Sequence, residues 1–230
     1  MYQKKELFDC LKDIREKMNN NSNERFYSWE HCYRNFAESR KSKKDIDYLS
    51  LQLAFYLASW GMYRGSSFLL QMDYKVHSNA VRIIMDSKYD DLLGIDFEGI
   101  ISSDMLEKLF YLVKELKNYY AKIRRKINME VKGDISDILI TKILLGTLGC
   151  VPAYDECFTK GIKVLGVSKG KFNKDSILKI AELYKSYKAP FENMRKKFSI
   201  NNNLIYPQMK IIDMAFWQFG YNVIESEKSS

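Results

Sequence analysis

Asp155 stands where a turn containing proline, Val151-Pro-Ala-Tyr154, meets a stretch in which apolar residues recur at helical spacing. A carboxylate at the start of a helix accepts hydrogen bonds from backbone N–H groups, and the helix dipole favours its negative charge there. A capping aspartate can also face a groove and contact a substrate. The sequence leaves both roles of Asp155 open, a structural N-cap and a catalytic or substrate-binding group.

The segment 59–67 places two aromatic rings, an arginine and two glycines in one turn. Aromatic faces stack on bases and a guanidinium fork binds phosphate. Trp60 and Tyr63 are therefore candidates for base stacking, and Arg64 is a candidate for nucleic-acid binding. The alternative is a helix–helix corner in which Trp60 packs inside and Arg64 bonds the carbonyl groups that end a helix.

Lysines surround the loop Gly166-Val-Ser-Lys-Gly170, close in sequence to Asp155. A row of cations on one surface can follow a DNA backbone, but exposed lysines also serve ordinary solubility. Both interpretations stay open. The candidate nucleic-acid-binding residues of this region are Tyr154, Lys160, Lys163, Lys169 and Lys171.

The net charge of +8 is unevenly distributed along the 230 residues. Residues 1–100 contain 15 Lys and Arg against 15 Asp and Glu, whereas residues 101–230 contain 22 against 14. The second half therefore accounts for the whole excess, and we expect a polyanion such as DNA to bind there.

Several classes of chemistry lack their motifs in this chain. The four cysteines form no C-x-x-C pair, and only two histidines are present, so no zinc or iron–sulfur spacing can be recognised. There is no P-loop, no G-x-S-x-G and no dinucleotide fingerprint. We expect no metal and no cofactor, and we expect the cysteines to be reduced and mostly buried.

The parts of the chain that carry the candidate residues show mainly the apolar periodicity of α-helices. The clearest pattern runs from Ser102 to Asn128, and the almost wholly apolar segment from Asp45 to Trp60 suits a central helix that ends at Gly61. Strict alternation is nearly absent, so the sequence predicts no sheet. The other predicted helices span 1–18, 28–39, 66–71, 76–93, 136–148, 154–165, 173–199 with a bend at Pro190, and 206–219.

The composition, with 46% hydrophobic and 29% charged residues, predicts one packed all-α domain over residues 1–224. Residues 225–230 have the composition of a disordered tail. No stretch approaches the ~20 apolar residues of a membrane span, and the start has no apolar signal region. We therefore expect a cytoplasmic protein without membrane contact.

One segment, residues 136–166, carries a resemblance to a known family. It has the order of an apolar helix, a turn with Pro152, an aspartate, and a helix ending in Val164-Leu-Gly166. In this it resembles the helix-hairpin-helix DNA glycosylase superfamily, whose members have the same order after their hairpin. The resemblance implies a helix-hairpin-helix glycosylase-like fold. It also implies that Asp155 occupies the position of the catalytic aspartate, which helps to remove a base by stabilising positive charge on the sugar or by orienting a nucleophile.

Two parts of the family pattern differ here. The glycine-rich hairpin turn of the family is replaced by Val131-Lys-Gly-Asp-Ile-Ser136. Bifunctional members carry a Schiff-base lysine, but the position that corresponds to it falls near Ile138, and Lys142 follows about one helical turn later. We therefore expect Lys142 to lie on the exposed face of its helix and to support no lyase chemistry.

Two functions follow as hypotheses. The first is a DNA-binding protein of glycosylase-like fold, with base-excision activity through Asp155 and without lyase activity. The second is a non-catalytic helical module that binds a protein partner through its Tyr-rich surface, for example in a bacterial stress or defence system. The missing glycine-rich hairpin favours the second hypothesis.

Overall fold

The computed structural model describes residues 4–42, 45–127, 133–200 and 204–229. Helices hold 74% of the residues and strands 2%, which confirms the all-α class. In chain order the α-helices of the described residues are α1 (Glu6–Asn20), α2 (Phe26–Ser42), α3 (Ile46–Ser59), α4 (Ser78–Ile84), α5 (Phe97–Ile100), α6 (Ser103–Ile127), α7 (Asp137–Thr147), α8 (Glu156–Val164), α9 (Lys174–Ser186), α10 (Lys188–Arg195) and α11 (Gln208–Ser229).

Side-chain caps fix several helix starts. Asp45, Ser136 and Asn173 accept hydrogen bonds from backbone N–H groups at the first turns of α3, α7 and α9 respectively. At the other end of α3, Gly61 adopts a φ of 75°, and its N–H donates to the carbonyl of Ala58. This conformation suits glycine, so the predicted end of the apolar helix at Gly61 is confirmed.

The most enclosed helix of the described chain is α7 rather than α3. Every residue of α7 from Leu139 to Thr147 is buried, including Lys142. Helix α3 instead leaves Leu51 and Phe55 exposed on its outer face. The apolar composition of α3 therefore gave a wrong expectation of the centre of the core, because part of its apolar surface faces solvent.

Helices α8 and α11 pack closely along their lengths, and two glycines make this approach possible. A Cβ atom at Gly220 would collide with the carbonyl of Cys157, and one at Gly161 would collide with the carbonyl of Phe216. The two backbones therefore touch where side chains are absent, and α11 forms a wall behind the start of α8.

Three predicted elements differ from the observed ones. Residues 76–93 form α4 flanked by 3₁₀ helices, Tyr74–His77 and Ser87–Leu92, instead of one helix. Residues 173–199 are divided at Tyr187, and Pro190 lies in the first turn of α10, where its missing N–H costs nothing. A third 3₁₀ helix, Phe68–Gln71, replaces the short helix predicted over 66–71.

The end of the chain also differs from its prediction. Strands β1 (Ser199–Ile200) and β2 (Leu204–Ile205) pair antiparallel, so a minimal sheet exists where none was predicted. Helix α11 continues to Ser229, so residues 225–229 are helical instead of a disordered tail. Val131 and Lys132 of the hairpin segment, the first residues of the first predicted helix and Asn128 lie outside the described residues.

Candidate functional site

An open cleft of about 830 Å³ lies between the elements that carry the candidate residues. Its walls are the loop after α3, the end of α6, the first turns of α7, the start of α8 and one side chain of α11, Trp217. Asp155, Trp60 and Arg64 all line it, so the structure brings together three candidate residues from two distant parts of the sequence.

Asp155 lies at the base of the cleft, directly before α8. Its Oδ1 accepts a hydrogen bond from the N–H of Phe158 at 3.1 Å, which is the predicted N-cap. Its Oδ2 lies 3.3 Å from the Nζ of Lys142. The capping role is therefore confirmed, and the second carboxylate oxygen is held by a cation at the cleft.

Lys142, the ion-pair partner of Asp155, was expected on the exposed face of its helix. Its side chain is only 7% exposed, and its Nζ donates to the carbonyl oxygen of Trp60 at 2.9 Å. The expectation of an exposed lysine is wrong, because α7 is buried from Leu139 to Thr147 and Lys142 directs its ammonium group to the cleft. A nearly buried ammonium requires a compensating charge, and Asp155 supplies it.

A second ion pair stands behind the first. Lys210 Nζ donates to Asp213 Oδ2 at 3.0 Å, and both side chains are buried. Asp213 Oδ1 accepts from the N–H of Ala153 at 2.9 Å, so the pair holds the turn that carries Asp155. Burial raises the pKa of Asp213, and the negative charge of Asp155 raises it further while Lys210 opposes the shift.

Two tryptophans and an arginine form one side of the cleft, here called the Arg25 wall. The ring centres of Trp60 and Trp217 are 5.5 Å apart with perpendicular planes. The guanidinium of Arg25 lies 4.8 Å from the first ring centre and 4.9 Å from the second. Trp60 Nε1 also donates to Ser28 Oγ at 3.1 Å. These contacts fix the orientation of the Trp60 ring and cover part of its surface with Arg25.

Tyr63 does not reach the cleft, unlike its neighbours Trp60 and Arg64. Its hydroxyl lies 2.7 Å from Nε2 of the buried His77. The half-buried ring packs edge-on against the imidazole. The structure therefore places the Tyr63 hydroxyl against the buried His77 and leaves Tyr63 out of the lining of the cleft.

Tyr154 is buried, and its hydroxyl donates to Ser176 Oγ at 2.9 Å. Burial raises the pKa of this phenol. The expectation that Tyr154 contacts nucleic acid is wrong, because the side chain points into the core although the adjacent Asp155 faces the cleft.

The four candidate lysines lie outside the cleft. Lys163, Lys169 and Lys171 are exposed near the connection from α8 to α9. Lys160 is half-buried and donates to the carboxylate of Glu227 at 2.7 and 2.8 Å. These residues form a surface separate from the cleft, and their contact with DNA stays a prediction.

Sequence reasoning missed three residues of the cleft. Arg25 and Arg124 gave no local signal, because each lies far in sequence from Asp155 and reaches the cleft only through the packing of α2 and α6. Trp217 lies in the helix predicted over 206–219, between Phe216 and Phe219. Those two neighbours are buried, whereas Trp217 is half-buried and faces the cleft.

The thiols and the acidic groups offer no metal chemistry in the described part of the chain. No group of three or more His, Cys, Asp or Glu side chains there could hold a metal ion. All cysteines are free. Burial raises the pKa of the Cys157 thiol, which lines the cleft, to about 11, and the charge of Asp155 contributes. The thiol is therefore protonated at neutral pH and is a poor nucleophile.

Comparisons with known proteins give no family assignment. No protein-family model, no curated protein and no solved structure matches the chain. No helix among the described residues is both long enough and apolar enough to cross a bilayer.

Proposed function

We propose that this chain binds DNA in the cleft and removes a base there, in a fold of the helix-hairpin-helix glycosylase type. The observation that carries the proposal is the ion pair of Lys142 and Asp155 at the base of a cleft with arginines on its walls. A well-formed pocket toward which a few polar groups converge is the usual place of a binding or active site. The Asp155 side chain is 13% exposed, so it is reachable from the cleft and still largely protected from water.

The cleft has the size and chemistry that a nucleotide requires. Its volume of about 830 Å³ falls in the range of small-molecule sites. Arg25, Arg64 and Arg124 supply cations on its walls, and Trp60 and Trp217 supply aromatic surface. Guanidinium groups bind phosphate, and indole rings stack on bases.

The arrangement of helices also supports the proposal. Helix α6, the connection 128–136 and α7 follow one another, and Arg124 near the end of α6 donates to the carbonyl groups of Gly133 and Asp134. Gly133 and Asp134 are thereby held against α6 just before Ser136 caps α7. A helix, a short connection, a second helix, a turn and an aspartate follow in the order that the resemblance implies.

Asp155 suits the removal of a base because positive charge develops on the sugar as the glycosidic bond breaks. The electron pair of that bond leaves with the base, water bonds to the anomeric carbon, and the proton that the water gives up goes to the departing base. A carboxylate close to the sugar stabilises this charge and orients the water. The hydrogen bond from Phe158 N–H fixes the carboxylate at the helix start without occupying its Oδ2.

Lys142 adds a second route that the sequence interpretation did not expect. Lys142 can act in place of water once its ammonium has passed a proton to Asp155. The amine then bonds to the anomeric carbon while the base leaves with the electron pair of the glycosidic bond and takes up a proton, and transfer of an amine proton to the ring oxygen opens the sugar to an imine. Borohydride reduces that imine to a permanent covalent bond. Since Lys142 lies 3.3 Å from Asp155, both routes start from the same position in the cleft.

The first test replaces Asp155 by Asn, which caps a helix about as well as Asp but carries no charge. We expect base release to fall about a hundredfold or more, because the charge that stabilises the transition state is lost. The protein should also lose about 1–3 kcal/mol of stability, since the Lys142 ammonium remains nearly buried without its partner. Abasic-site formation on a panel of damaged duplexes and urea unfolding measure the two effects.

Lys142→Gln and the double variant complete the experiment. The double-mutant cycle isolates the coupling of the pair from its chemistry. Borohydride trapping of wild-type protein, but not of Lys142→Gln, on an abasic duplex would establish the imine route. Wild-type protein that releases no base from any duplex contradicts the enzymatic proposal. If it also binds no DNA at low salt, the whole proposal is wrong.

That last outcome would favour the protein-interaction module. Its structural support is the exposed apolar face of α3, formed by Tyr48, Leu51 and Phe55. These residues recur at helical spacing on one side of the helix. In that case the partner would bind α3 rather than the cleft.

A further inference from the structure

Arg25 stands out among the charged residues of the cleft because its guanidinium is positioned but unpaired. It lies over both Trp60 and Trp217, within 4.9 Å of each ring centre. No carboxylate forms an ion pair with it among the residues that the structure describes. The side chain is exposed, so its donors reach the cleft.

The two indole planes are perpendicular, so the guanidinium cannot lie flat on both rings, but its exposed part presents N–H donors to the cleft. The edge of a guanidinium carries the N–H donors that bind two oxygens of a phosphate side by side. An arginine that is already held loses less side-chain freedom on binding than a mobile one does. Arg25 is therefore pre-organised to receive an oxyanion.

Arg64 also lies against the Trp60-Gly61 segment, at Gly61. Its guanidinium would contact a Cβ atom built on Gly61 at 3.0 Å, so it rests against the residue that follows Trp60. Like Arg25 it is exposed, lines the cleft and has no ion-pair partner among the described residues. The Trp60-Gly61 segment is thus flanked by two arginines without counter-ions.

Other parts of the molecule offer less. The arginine at the end of α6, Arg124, is committed to the carbonyl groups of Gly133 and Asp134. The shallow groove near Tyr111 is bordered by Lys88 and Lys108, whose ammonium groups already pair with carboxylates. The Arg25 wall and Arg64 therefore bring to the lining of one cleft two exposed guanidinium groups that have no ion-pair partner among the described residues.

We propose that Arg25, held by Trp60 and Trp217 and assisted by Arg64, binds a phosphate group of the nucleic acid whose base enters the cleft. The inference rests on the proposed function and specifies where the backbone of the ligand lies. The phosphate replaces the missing counter-ions at the Trp60-Gly61 segment, and the base then points toward Asp155.

The test uses the tryptophans as reporters. Two of the three tryptophans contact Arg25, and the third, Trp29, is buried. Full-length protein is titrated with a single-stranded oligonucleotide and separately with inorganic pyrophosphate, and tryptophan fluorescence is followed at several salt concentrations. Arg25→Gln removes the charge, Arg25→Lys keeps it without the fork, and Arg82→Gln is the control, an exposed arginine on α4 outside the cleft.

We expect Arg25→Gln to weaken oligonucleotide binding about tenfold and to lower the slope of log affinity against log salt by about one. Arg25→Lys should weaken binding but keep most of the slope, because charge sets the slope and the fork sets the geometry. Arg82→Gln should match wild type. Thermal unfolding and circular dichroism verify that each variant is folded.

Each result decides the inference. If wild type binds the oligonucleotide and Arg25→Gln binds it equally with the same slope, the phosphate site is wrong while the proposed function stands. If wild type binds pyrophosphate through Arg25 but no oligonucleotide, the site recognises free phosphate and the proposed function fails. If wild-type fluorescence responds to neither ligand, both are overturned.

Discussion

At the scale of single residues, His77 connects two tyrosines through its ring nitrogens. Nδ1 lies 2.6 Å from the hydroxyl of Tyr120, and Nε2 lies 2.7 Å from that of Tyr63. A neutral imidazole donates through one nitrogen and accepts through the other, so both contacts are satisfied without a charge. Burial lowers the pKa of His77 from 6.5 to about 3.

This lowered pKa makes the stability of the protein depend on pH. The unfolded chain binds a proton on His77 below pH 6.5, whereas the folded chain does not until about pH 3. Stability from this residue is therefore complete above pH 6.5 and is lost as the pH falls toward 3. We expect a loss of about 2 kcal/mol between pH 6.5 and pH 5.

Urea unfolding of wild type and His77→Gln at both pH values measures this loss. The variant is less stable at every pH because it disturbs the two tyrosines, but it lacks the titrating ring. Its change in stability between the two pH values should be smaller by about 2 kcal/mol. Equal changes in both proteins would show that His77 does not keep its neutral form when folded.

At the scale of elements, the approach of α8 and α11 depends on Gly161 and Gly220. We expect Gly220→Ala to destabilise the protein by about 2–3 kcal/mol, because the added methyl group meets the Cys157 carbonyl. In an unpacked helix the same change would stabilise by up to about 1 kcal/mol. The sign of the change in unfolding midpoint therefore tests the packing.

Glu225→Ala on the same helix provides the control, since this side chain is exposed. Its effect should stay within about 0.5 kcal/mol. A stabilised Gly220→Ala variant would mean that the two helices are not in contact at this position in solution.

Local signals identified the helices whose starts and ends are marked in the sequence. Ser136, Asp155 and Gly61 are caps or stops, and the elements that they bound are confirmed within a few residues. The pattern over 76–93 looked continuous, yet α4 ends at Ile84, and Asp86 caps a separate 3₁₀ helix. The apolar periodicity alone did not show that α4 and this 3₁₀ helix are separate elements.

Long-range packing explains the rest of what sequence could not provide. The turn before Asp155 identified this residue as a candidate from the sequence. Its ion-pair partner Lys142 was expected to be exposed, because a lone lysine in a helix usually is. Only the enclosure of α7 by its neighbours directs that ammonium into the cleft. Arg25 and Trp217 are in contact although most of the chain separates them in sequence. No local sequence pattern therefore links them.

At the scale of the whole molecule, the excess positive charge provides a separate test of DNA contact. Lys163, Lys169 and Lys171 are exposed and lie away from the cleft. If they follow a DNA backbone, replacing all three by Gln should reduce the salt slope of duplex binding by about three and leave fold stability nearly unchanged. Fluorescence anisotropy with a labelled duplex measures both affinity and slope.

A matched triple variant, with Lys17, Lys41 and Lys75 replaced by Gln, changes the net charge equally. These lysines are exposed and belong to the electrically balanced half of the chain. Its slope should stay close to that of wild type. If both variants lose affinity to the same extent, the binding reflects overall charge and the surface near α8 and α9 has no special role.

The packing of α8 against α11 also has a consequence for how the protein is made. Residues 165–207, 43 residues in all, separate the two helices along the chain. At about 5–20 residues per second, the ribosome needs roughly 2–9 seconds after completing α8 to reach the first residue of α11. During that interval Phe158 and Ile162, buried in the finished fold, lack a major part of their cover. We therefore expect the nascent chain to expose the apolar face of α8 until α11 is synthesised.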